Sequence, residues 1–124
     1  MTTTITTAAA LLAVASAFDN RNVTEEAATL WAEALRDMTL TDGKAAIIAH
    51  YQTKRDWIMP ADINREVATI RRRRLKSVDI PDPPPGLTHG QEVAWHNRII
   101  RLVGDGMALD AALNQSTIER ANHG

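Results

Sequence analysis

Apolar residues recur along this chain at helical spacing, and the breaks between the runs carry helix-stopping residues. Over Thr4–Phe18, Ile5, Ala8, Leu12 and Ala15 form one stripe, with Leu11, Val14 and Phe18 beside it. Asp19-Asn20-Arg21-Asn22 then reads as a loop, because Asp and Asn favour turns. Thr24 is placed to cap a second helix, with Glu25 and Glu26 in the first turn, where the helix dipole favours carboxylates. Ala27, Trp31, Ala34, Leu35 and Met38 fall on one face, so this helix is expected to end near Met38. Thr41 or Asp42 caps a third, shorter helix from about Gly43 to Lys54, with Ala45, Ile48, Ala49 and Tyr51 as its apolar positions. Arg55–Met59 is a connector in which Trp57 is expected to act as a lid. Pro60 suits a first helical position, and Ile63, Val67 and Ile70 stripe a fourth helix running to about Lys76.

The next segment cannot be helix. Ile80-Pro81-Asp82-Pro83-Pro84-Pro85-Gly86 holds four prolines in five residues, which favours an extended spacer. Beyond it, Thr88 caps a fifth helix from about His89 to Val103. Val93, His96 or Asn97, Ile100 and Val103 lie on one side of it, with Trp95, Ile99 and Leu102 on the adjoining side. Gly104-Asp105-Gly106 breaks that helix, Met107–Asn114 is a short sixth, and the polar end Gln115–Gly124 is expected to fray. The expected fold is all-α: a four-helix bundle over residues 1–78, a Pro-rich linker over 79–86, and a helical C-terminal tail over 87–124. The expected bundle core is Leu12, Phe18, Trp31, Leu35, Ile48, Ile63 and Val67.

Composition agrees with this class. The 124 residues are 44% hydrophobic but only 4% aromatic, an alanine-rich balance that favours helices over sheets. The net charge of −1 conceals an uneven distribution. Residues 1–59 carry five Lys/Arg against seven Asp/Glu, residues 60–78 six against two, and residues 79–124 three against six. There are no cysteines, which excludes disulfides, thiolate zinc sites and cysteine nucleophiles. No apolar run approaches the length of a membrane helix. Ala15-Ser16-Ala17 after a short apolar run resembles a signal-peptidase site, but no Lys or Arg precedes it, so a cytoplasmic location is expected.

Catalytic chemistry finds little support. Gly104-Asp105-Gly106 lacks the further Gly and Lys-Ser/Thr of a phosphate-binding loop. His50, His89, His96 and His123 contain no i, i+4 pair and no accompanying carboxylate ligand set, although His89 and His96 are one heptad apart. The carboxylates show no acid/base pairing, and the serines lack a nucleophile context. No enzyme activity, cofactor or metal is expected.

Two features point to partners. Arg71-Arg72-Arg73-Arg74, followed by Lys76, is the main cationic feature. It reads either as a solvated helix C-terminus, where cations complement the dipole, or as a contact for nucleic-acid phosphates or an acidic partner. Four consecutive residues point in four directions on a helix, so they cannot form one row. The other feature is Trp95, which lies in a segment too small to bury it alone. Either the tail helix docks on the bundle, or Trp95, Ile99, Ile100, Leu102 and Val103 form a partner-binding face.

The stretch from Phe18 to about Arg74 carries a pattern: Val23-Thr24 leading into Trp31-x-x-x-Leu35, then Ala45-x-x-Ile48 running into His50-Tyr51, then Ile58-Met59-Pro60-Ala61-Asp62-Ile63. In this it resembles the replicative-helicase loader or inhibitor family of bacterial viruses, with relatives in actinobacterial phages. The resemblance implies a helical N-terminal domain and a flexible tail that carries much of the contact with the host's hexameric DnaB-type helicase. The helical periodicity of the tail here departs from that pattern. Without a nucleotide motif, such a loader would act by binding two states of its target differently. The competing readings are a small DNA-binding regulator, with the third and fourth helices as a helix-turn-helix and Arg65 and Arg71–Arg74 on the duplex, and a homo-oligomer paired through its tails.

Overall fold

The computed structural model describes residues 3–123 of the backbone and side chains as far as Ser116. The fold is all-α. The six helices of the described residues are α1 (Ile5–Asp19), α2 (Glu25–Ala34), α3 (Leu40–Thr53), α4 (Pro60–Lys76), α5 (His89–Gly104) and α6 (Leu109–His123). Side-chain caps begin four of them: Thr4, Thr24, Thr39 and Thr88 each accept the backbone N–H three residues on. At α5 the cap is reciprocal, since Gln91 also accepts the Thr88 N–H at 2.9 Å.

The chain divides into two compact units, residues 1–69 and 70–124. The division therefore falls inside α4 and not at the Pro-rich segment, where a linker over 79–86 was expected. The reason is apolar packing around that segment. Leu75, Val78 and Ile80 pack against Ile99, Leu102, Val103 and Ala112, so both sides of the prolines belong to the second unit. The segment itself is non-helical, as four prolines require, and it turns at Pro85-Gly86, where Gly86 has φ +87°.

In the first unit, α1 packs against α2 and α3. Leu11, Leu12, Trp31, Leu35, Ile47, Ile58, Ile63 and Val67 are buried in one cluster. Two expected core residues lie elsewhere: Phe18 and Ile48 are exposed. For α3 the cause is a close approach. The helix starts at Leu40, capped by Thr39 and not by Thr41 or Asp42, which places Gly43 within it. A Cβ at Gly43 would lie 2.6 Å from a Leu11 methyl carbon, so glycine sets how near α1 comes. Gly43, Ala46 and Ile47 then form the buried stripe, and Ile48 rotates out. Gly43→Ala is accordingly expected to cost about 1–3 kcal/mol, read as a lowered urea midpoint.

α2 stops at Ala34, short of the expected Met38. Asn64 on α4 closes its end, donating from Nδ2 to the Ala34 carbonyl at 3.0 Å and accepting the Arg36 N–H at 2.9 Å. Leu35 and Met38 remain buried although they are outside the helix. In the second unit, α6 runs on to His123, beyond the expected end at Asn114, because no Gly or Pro interrupts it. Gly124 lies outside the described residues.

Candidate functional site

The four residues that read as a plain loop after α1 build the most organised polar feature of the first unit. Asn20 is left-handed, with φ 60° and ψ 29°, a conformation that Asn tolerates better than most residues. Its N–H donates to the Ser16 carbonyl at 2.7 Å and ends the helix. The reversal is held by the Ser16 hydroxyl, which donates to the Arg21 carbonyl at 2.7 Å. Arg21 thereby folds back over Asp19 and is buried. Its Nε donates to one carboxylate oxygen at 2.9 Å and its Nη2 to the other at 2.5 Å.

Distant residues complete the network. The Tyr51 hydroxyl donates to Asp19 at 2.5 Å and accepts the Ile58 N–H at 3.0 Å, so it joins the ends of α1 and α3 to the connector before α4. The Arg21 guanidinium lies 5.1 Å from the Trp31 ring centre and 4.9 Å from that of Trp57. Phe18 stacks on Tyr51 at 4.9 Å and 17°, and His50 meets the same ring edge-on at 4.8 Å. His50 Nε2 donates to the Asp56 carbonyl at 2.6 Å. Trp57 is thus not a lid closing the core: the residue is 55% exposed, whereas its neighbour Ile58 is fully buried. Phe18, 52% exposed, flanks the same network.

The charges of this network match its contacts. The hydrogen bonds from Arg21 hold the Asp19 carboxyl below the usual range, against the opposing effect of burial. Burial, with the bond to Asp19, pushes the Tyr51 phenol up. A lowered carboxylate contributes stability that is present above its unfolded pKa of about 4 and is lost as pH falls through the lower folded value. A raised phenol contributes stability that is present below about pH 10 and is lost as pH climbs through its folded value. Stability is expected to level off between these limits. Asp19→Asn should flatten the acid limb in urea midpoints taken from pH 2 to 7. Asp62 keeps part of that limb, because the Met59 N–H holds its carboxyl low as well.

The arginine run is divided by its surroundings. Arg71 pairs with Asp105, and its Nη2 points at the Arg101 carbonyl. Arg74 Nη1 donates to the Gly104 carbonyl at 2.8 Å. Two of the four arginines therefore close the C-terminal end of α5. Gly104 makes room for this, since a Cβ there would lie 2.8 Å from Arg71 Nη2. Arg72, Arg73 and Lys76 are exposed. The connector between α3 and α4, residues 54–59, is longer than the roughly 3–4-residue turn of a helix-turn-helix, so these cations are not presented by that motif.

The expected partner face on α5 is corrected. Ile99, Leu102 and Val103 are the buried core of the second unit, Trp95 packs against that core, and Ile100 is half-buried. These side chains face their own helices because Leu75, Val78, Ile80, Met107, Leu109 and Leu113 close over them.

No family model, curated protein or solved structure matches the chain.

Two clefts remain. One of about 210 Å³ lies between α3 and α4 and is lined by Ala46, His50, Lys54, Asp62, Arg65 and Glu66. Its charges are largely met at home: Arg65 pairs with Asp62 at 2.8 Å, and Asp62 caps Met59. The other, about 240 Å³, is an open hollow where Pro83 faces His89, Glu92, Val93, His96 and Asn97. It gathers His89 and His96 on one side of α5. Among the described residues, no three His, Asp or Glu side chains are grouped to hold a metal ion. Among the same residues, no helix is long and apolar enough to cross a membrane.

Sequence reasoning missed the Asp19–Arg21–Tyr51 network. An Asp-x-Arg pair directly after a helix was the available local signal. The partners Tyr51 and Trp57 are far along the chain, and no local pattern brings them there.

Proposed function

We propose that this chain is a non-enzymatic phage DNA-replication accessory protein that binds the host DnaB-type replicative helicase and loads or modulates it in the bacterial cytoplasm. The observation that carries this reading is the pair of exposed rings, Phe18 and Trp57, fixed on one buried ion-pair network within the stretch that resembles the helicase-loader family. Rings held in place before binding lose little freedom on association, and Trp is enriched among residues that dominate binding energy. The reading moves the contact from the α5 face to the first unit, since the α5 residues are occupied by their own core. Because the sequence has no phosphate-binding loop, any loading would come from unequal affinity for two states of the helicase ring.

The test is co-migration of the purified chain with the purified DnaB-type helicase hexamer of the host in size-exclusion chromatography, followed by titration calorimetry. Trp57→Ala is expected to weaken binding at least tenfold, as a hot-spot loss of about 2 kcal/mol requires, while circular dichroism shows the helices intact. Failure of the full chain to bind the hexamer would sink the proposal.

A further inference from the structure

We draw no further inference here: the strongest candidate, the uncharged outer face of α1 where Thr6, Ala10, Ala13 and Ala17 recur at coiled-coil spacing, is an unpartnered stripe of small residues, and nothing in the structure shows what covers it.

Discussion

Replacing Arg21 with alanine is expected to destabilise the first unit by about 3 kcal/mol, a large share of what a domain of this size holds. Both side chains of the Arg21–Asp19 pair are almost fully shielded from water, at 7% and 3% exposure. Removing the guanidinium leaves a buried carboxylate with Tyr51 as its remaining side-chain donor. It also strips the cation from between Trp31 and Trp57, and Trp57 then loses the contact that places it. Arg21→Lys should recover part of the loss, because it restores charge but not the two-pronged bond to Asp19. Arg55→Ala, an exposed change in the nearby connector, should stay within about 0.5 kcal/mol. Urea unfolding followed by tryptophan fluorescence measures all three. The fluorescence of Trp57 reports the local effect, provided that Trp31→Phe and Trp95→Phe backgrounds are used to isolate it. Equal stability of Arg21→Ala and the parent would show that the network holds nothing together.

Ile99→Ala is expected to cost the second unit about 2–4 kcal/mol. Ile99 is fully buried, and its neighbours come from the end of α4, the segment before the prolines, α5 and α6. The hole left by its side chain cannot be closed without moving several of these. Val93→Ala, on the exposed side of the same helix, should have little effect. Amide exchange over α5 and α6 distinguishes the two, since Ile99→Ala should raise exchange throughout the second unit. If Ile99→Ala left exchange unchanged and instead abolished binding of a partner, the α5 face would be a docking surface after all.

Much of the helical layout was legible from residue order, because helices are built from local contacts. Threonine caps at Thr24 and Thr88, proline at the start of α4 and the Pro81–Pro85 break act within a turn or two of chain. The apolar stripes of Trp31 and Leu35, and of Ile63 and Val67, also read correctly, since amphipathic spacing is a property of one helix. Where α2 ends was not legible, because Asn64 on a different helix closes it. Nor was the buried face of α3, because the nearness of Leu11 to Gly43 decides it.

The same division applies to the candidate sites. Residue order alone dictates an all-α protein, the lack of cysteine chemistry and a basic segment at the end of α4. Tertiary structure decided which charges are spent inside. Arg71 and Arg74 are indistinguishable from the rest of the run in the sequence, and only the approach of Asp105 and Gly104 gives them their partners. In the same way, Asp19 and Arg21 read as turn residues until Tyr51, Trp31 and Trp57 arrive from elsewhere to bury them. A charged or apolar side chain takes its role from what desolvates or pairs with it, and those partners are set by packing across the fold, not by neighbours in the chain.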